Sequence, residues 1–271
     1  MFQNEDRERV AFGVKLAEYE YDSTLFIDNI GSFFWLIALY LLLVILHFSC
    51  FCVKRIRHRL AALLFWNGII RVIMETYMEV SLISVLNISV IDWQTDDSYI
   101  LASSLFALVF LSLFSSLPLL LLLKLCTSRK RWHFVGFKKR YGTVFEGLMI
   151  YDDSSLNRRS ALIPLITFFG RRMLFAVILI SMRASLWFQL LIQMLISLAI
   201  SIYFVHFKPC ETSSQTKLWA FNEIIILVIV VLLMCFSDAV QDAKTRHQLG
   251  YGFIALSVGN IAVNLAFMLA S

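Results

Sequence analysis

The chain has 271 residues, of which 59% are hydrophobic and only 16% charged, with a formal net charge of +5. Its mean hydropathy is +0.77, and its charged share falls well below the roughly 25% of an ordinary soluble domain. A water-soluble globule could not cover so much apolar surface with so little charge, so soluble, disordered and collagen-like classes are excluded. Several uncharged apolar stretches exceed the ~18 residues that mark a spanning helix.

Residues 1–30 form an acidic tail containing Glu5, Asp6, Glu8, Glu18, Glu20, Asp22 and Asp28. No basic start followed by an apolar core and a small-residue cleavage site is present, so a removable signal peptide is not expected. Apolar spans are predicted near 31–53, 61–91, 99–123, 162–182, 186–207, 218–238 and 249–270, together forming a transmembrane domain over 31–271. The runs are continuously apolar, whereas a transmembrane β-barrel needs a period-two alternation. The expected fold is therefore all-α, a polytopic helical bundle of about seven spans. A basic loop, 124–161, is the longest polar stretch.

Orientation follows from Lys and Arg. With the tail placed outside and the spans alternating, the inner segments hold 15 Lys/Arg and the outer ones 6, while acids divide 4 inside and 12 outside. This places the N-terminus outside and the C-terminus inside. Trp35, Trp66, Trp93, Trp187 and Trp219 sit near predicted span ends, where amphipathic rings favour the headgroup zone.

No cysteine falls outside, so no disulfide framework is expected. Cys50, Cys52, Cys126 and Cys210 lie at inner helix ends beside basic residues, a setting for palmitoylation; Cys235 lies within a span. Asn87-Ile-Ser89 is a glycosylation sequon by letter, but at the membrane edge its use is not expected. In the third span, Ser103, Ser104, Ser112, Ser115, Ser116 and Pro118 predict a kink with hydroxyl compensation.

The chemically informative residues are ionisable groups inside apolar runs, each costly there without a partner or water. Asn67, Arg71, Glu75 and Glu79 recur every four residues in the second span. Arg71 and Glu75 can pair, whereas Glu75 and Glu79 repel, so Glu79 calls for a cation from another helix. Arg171 and Arg172 lie near the middle of the fourth span, and Asn222 and Glu223 about one turn inside the sixth. Three Arg and three Glu cancel, which predicts a polar network joining the second, fourth and sixth spans. Helix-holding is the simpler role for it; an ion pathway is the sharper one.

No phosphate-binding loop, zinc-protease motif or nucleophile elbow is present. His47, His58, His133, His206 and His247 lack metal-ligand spacing. No enzyme, metal or cofactor is expected. For the basic loop with Trp132, Phe134 and Phe137, anionic lipid is a more economical partner than nucleic acid.

Seven phrases in order resemble the transient-receptor-potential-like (TRP-like) C-terminal membrane domain found in ciliates, with more distant fungal relatives. They are YDSTLFIDNIGS (21–32), FWNGIIRVIMETYMEVSLISVLNI (65–88), KKRYGTVFEGL (138–148), LIPLITFFGRRMLFA (162–176), FKPC (207–210), FNEIIIL (221–227) and the pair Asn260/Asn264. The resemblance implies family roles for Arg71, Glu75, Glu79, Glu146, Gly147, Arg171, Arg172, Asn222 and Glu223. It also implies further spans and a cysteine-rich region upstream of the first phrase, relative to which this chain is N-terminally short. Cation-channel or sensory function is what the resemblance implies, and a channel would require homo-oligomerisation. Only about ten residues (239–248) join the last two spans, too few for a pore helix and filter. A seven-helix receptor fits the span count but lacks the D/E-R-Y and N-P-x-x-Y motifs. A non-conducting scaffold that binds anionic lipid is the remaining alternative.

Overall fold

The computed structural model describes residues 24–49, 67–91, 93–128, 132, 134–145, 148, 162–183, 185–236 and 242–270. Among them the chain is all-α. The helices are α1 (Phe26–Asn29), α2 (Gly31–Ser49), α3 (Asn67–Ser89), α4 (Ser98–Thr127) and α5 (Val135–Phe145), followed by α6 (Ile163–Ser181), α7 (Leu186–Phe207), α8 (Ser213–Met234) and α9 (Ala243–Ala270). Six of these are long and apolar enough to cross a membrane: α2, α4, α6, α7, α8 and α9. The protein is thus an integral, multi-pass membrane protein with a polytopic helical fold. In such a medium a helix is favoured because every backbone polar group is satisfied inside its own segment. Helix α3 stands apart from the six. It is long enough to span, but carries Arg71, Glu75 and Glu79 and buries hydroxyls along one side.

Helices α8 and α9 begin earlier than hydropathy indicates. Thr212 caps α8 by accepting from the Gln215 amide, and Asp242 opens α9 by accepting from the Thr245 amide and hydroxyl. These first turns are polar and read as loop in a hydropathy scan, yet an oxygen-bearing cap starts a helix wherever it binds the free amides. Helix α7 ends at Lys208, whose φ of 44° lies in the left-handed region and whose N–H bonds back to the Phe204 carbonyl; Pro209 prevents continuation.

The chain divides into two compact units. The first comprises α1 to α4, α5 through Val144, and Arg172–Ile180 of α6; the second holds α6 through Arg171, then α7, α8 and α9. In the first unit, α3 packs on α4 and the single turn α1 inserts against both. Phe26, Phe33, Phe110, Phe114 and Tyr77 build an aromatic column there. Phe26 and Phe110 lie 5.1 Å apart, Phe33 meets Phe110 edge-on at 5.8 Å, and Tyr77 lies 5.7 Å from Phe114, separations at which ring quadrupoles attract.

The serines of α4 divide into two groups. Ser103 and Ser104 are buried, whereas the Ser112 and Ser116 hydroxyls bond the Val109 and Leu113 carbonyls around Pro118. Pro118 removes one ladder donor, and hydroxyls bonded to nearby carbonyls commonly accompany such a break. The helix remains continuous through it.

In the second unit, α7 packs on α8 and α8 on α9. Gln189, Gln193, Ser197 and Ser201 recur every four residues on α7, and all are buried. This spacing drifts only ~40° per step, so the four form one polar face. Phe188, Leu195, Leu198, Ile202 and Val205 are exposed on the other side. Helix α7 is therefore apolar outward and polar inward, the pattern suited to a lipid surround.

Candidate intramembrane polar site

The second unit gathers its polar side chains around Arg171. Its Nη1 donates to both carboxylate oxygens of Glu223 on α8, at 2.9 and 2.7 Å. Its Nη2 donates to Ser197 Oγ on α7 at 2.9 Å. The parallel two-nitrogen fork common in arginine–carboxylate pairs is not formed, because one terminal nitrogen serves the carboxylate and the other serves the hydroxyl. Three helix segments are thereby tied at one guanidinium. The two side chains are 21% and 15% exposed, so both charges are largely removed from solvent and each depends on the other.

Next to Glu223 along α8, Asn222 exchanges hydrogen bonds with Asn264 of α9. Asn222 Nδ2 donates to Asn264 Oδ1 at 2.9 Å, and Asn264 Nδ2 donates to Asn222 Oδ1 at 2.8 Å. The Asn264 amide also reaches the Asn260 carbonyl at 2.8 Å. A reciprocal amide pair satisfies a donor and an acceptor on each side in one contact, which suits a helix such as α9 that buries little else. On the α7 face, Gln189 donates to the Met182 carbonyl and Ser201 to the Ser197 carbonyl. The buried Nε2 of Gln193 has no hydrogen-bond partner among the described residues.

The neighbouring Arg172 belongs to the first unit. Its Nη1 donates to the Met74 carbonyl of α3 at 2.9 Å, and the Glu75 carboxylate acts on it electrostatically. Arg71 and Glu75 are both exposed on α3. Glu79 accepts a hydrogen bond from the Ser32 hydroxyl of α2. A neutral hydroxyl thus occupies the place that sequence reasoning assigned to a cation. Two arginines adjacent in sequence point about 100° apart on a helix, which is why they serve different partners. The side chain of Asn67 lies outside the described residues, as do Glu146 and Gly147.

A third cluster, at the turn α1, was not anticipated. Asn87 Nδ2 donates to the Thr24 carbonyl at 3.2 Å and to Ser103 Oγ at 3.3 Å, and Ser103 Oγ also accepts from the Ile27 amide. Asn87 is 3% exposed, so the sequon letters label a buried structural amide, inaccessible to glycosylation. The sequence signal was a polar residue three positions after Ser84, in the more apolar C-terminal half of α3.

The cysteine candidates separate by exposure. Cys126, at the end of α4, is exposed, whereas Cys210 is buried and forms an isolated antiparallel bridge with Leu148. Burial pushes the Cys210 thiol above its ordinary pKa, against a smaller opposing pull from a hydrogen bond with Thr216, and removes it from the acylation candidates. Cys50 and Cys52 lie outside the described residues. Trp132 is also buried, its indole N–H donating to the Leu125 carbonyl at 3.1 Å. It anchors the start of the basic segment to α4 instead of facing a ligand; Phe134 is exposed.

No family model, curated protein or solved structure matches the chain.

Proposed function

We propose that this chain is a sensory or cation-conducting component of the TRP-like class, oriented with its N-terminus outside and its C-terminus inside. The observation that supports this reading is the polar interior of the second unit. Gln189, Gln193, Ser197 and Ser201 line one buried face beside the Arg171–Glu223 pair. Intramembrane polar groups are costly, and a bundle held by lipid-like packing alone has no need of such a stripe. In this reading water enters along the stripe, and homo-oligomerisation supplies the pore walls that the short connection between α8 and α9 cannot.

A non-conducting structural role is the second reading, favoured by one specific fact: Arg171 and Glu223 neutralise each other, so the pair offers a passing cation little net attraction. Current recording from the full chain reconstituted in planar bilayers separates the two. The channel reading expects cation-selective current that falls when Ser201→Cys is modified by a water-soluble thiol reagent. A folded, reconstituted sample that passes no current, with Ser201→Cys unreactive, refutes it.

A further inference from the structure

The first unit contains an apolar hollow that its aromatic column leaves unfilled. Its volume is about 220 Å³, and it lies among α2, α3 and α4. Ile37 and Tyr40 line it from α2, Ile69 and Ile73 from α3, and Leu113 and Leu117 from α4. Ile69 and Leu113 are roughly half exposed, so the hollow opens at the surface of the unit. Helices α2 and α4 are both of membrane-crossing length and composition, which puts that opening against hydrocarbon.

Water is a poor occupant. It needs two to four polar partners, and among these side chains only Tyr40 carries a polar atom. An apolar void of about 150 Å³ in a soluble protein stays dry and accepts a benzene-sized guest. A larger one that opens onto acyl chains takes hydrocarbon. The other end of the guest is specified by charge. Phe110, Leu117 and Lys124 are spaced by seven residues and so share one stripe of α4, with Lys124 exposed in the last turn. At 1.5 Å per residue it lies about 10 Å beyond Leu117 along the helix. That is a short step from a chain held in the hollow to a headgroup at the membrane surface.

We propose that this hollow binds one acyl chain of an anionic phospholipid whose phosphate lies against Lys124. The site belongs to the first unit alone and does not depend on whether the second unit conducts. It also differs from diffuse attraction by the basic segment, because it needs both an apolar slot and one particular cation.

The test reconstitutes the full chain in phosphatidylcholine vesicles, with or without phosphatidylserine. A trace of lipid bearing a photoactivatable diazirine acyl chain is added, and adducts are mapped by peptide mass spectrometry. The expected result is adducts concentrated on the peptides around Ile37–Tyr40, Ile69–Ile73 and Leu113–Leu117, more abundant from the phosphatidylserine probe. Lys124→Gln should reduce that headgroup preference by about fivefold, the factor expected of one Lys at an anionic surface, while Lys217→Gln in the second unit leaves it unchanged. Leu117→Trp should fill the slot and suppress the adducts; if that variant does not fold, the wild-type map and Lys124→Gln decide. Adducts spread evenly over lipid-facing helices, equal labelling by phosphatidylcholine, an equal effect of Lys217→Gln, or, in a separate oxidation, disulfide-linked dimers of a Leu113→Cys variant joined through that residue overturn the proposal. The last outcome would identify a second copy as the occupant.

Discussion

Replacing Glu223 by Leu removes both acceptors of Arg171 Nη1 and leaves Ser197 as the guanidinium's remaining partner among the described residues. Both partners are mostly out of solvent, at 21% and 15% exposure. Breaking a buried pair from one side costs about 3–5 kcal/mol in soluble proteins, because the surviving charge has lost its compensation. Residual exposure and the length of an arginine, which lets it snorkel toward water, lower this to about 2–3 kcal/mol. Arg171→Leu should be destabilising on the same scale for the mirror-image reason. The double variant Arg171→Leu/Glu223→Leu removes both charges together and should fall within about 1 kcal/mol of the wild type. Ser197→Ala removes the acceptor of Arg171 Nη2 while the ion pair stays intact, and should cost about 1 kcal/mol. The assay is unfolding of the purified chain in mixed micelles by increasing SDS fraction, followed by far-ultraviolet circular dichroism. At about 1.4 kcal/mol per tenfold change in equilibrium constant, the singles and the double are well separated. Strict additivity, with the double as damaged as both singles together, would show that the two side chains do not act as a unit.

Other expectations can be checked in the same preparation. N-ethylmaleimide should label Cys126 in the folded protein and reach Cys210 only on unfolding, as mass spectrometry would report; rapid labelling of Cys210 would contradict its burial. The Asp242 carboxyl is held below its ordinary pKa chiefly by the Thr245 hydroxyl, then by the Thr245 and Lys244 amides. Its cap is therefore fully present above the unfolded carboxylate pKa of about 3.9 and is lost as pH falls through the lower folded value. Amide exchange at Lys244–Arg246 should rise with that acidification relative to the intrinsic rate, and Asp242→Ala should abolish the transition. Lys208→Gly should stabilise the chain by up to about 1 kcal/mol, because φ of 44° costs a residue with a Cβ and not glycine; loss of stability would mean the lysine side chain itself is needed. Asn264→Leu should destabilise more than Asn222→Leu/Asn264→Leu, since the single change leaves Asn222 without its reciprocal amide.

How far sequence reasoning reached differed from residue to residue. Leu186–Phe207 was legible to the residue as a continuous apolar run, because hydropathy and length alone specify a spanning helix. The starts of α8 and α9 were not, since Ser213–Lys217 and Lys244–His247 are polar and only the cap hydrogen bonds of Thr212 and Asp242 make them helical. Arg171, Glu223 and Asn222 stood out by cost, as polar residues in apolar runs, whereas Asn264 entered only through the resemblance. Their pairing did not stand out, because it depends on which helix faces lie together. The α7 face of Gln189, Gln193, Ser197 and Ser201 escaped notice altogether, though its four-residue period was there to be read. Neutral polar residues depress hydropathy too little to interrupt a span.

Composition and periodicity alone determined that the chain is helical and lives in a membrane. Both follow from transfer free energies, which are summed residue by residue and need no knowledge of neighbours. The distribution of Lys and Arg suggested an orientation in the same local way. The tertiary structure decided everything that depends on direction. Arg171 meets Glu223 while the adjacent Arg172 meets the Met74 carbonyl, and Glu79 meets the Ser32 hydroxyl. Asn87 is a buried brace instead of an exposed sequon, and Cys210 is buried while Cys126 is exposed. Hydrogen bonds and ion pairs are short-ranged and angular, so a rotation of one helix by a single residue, about 100°, reassigns every partner without changing the hydropathy of the chain.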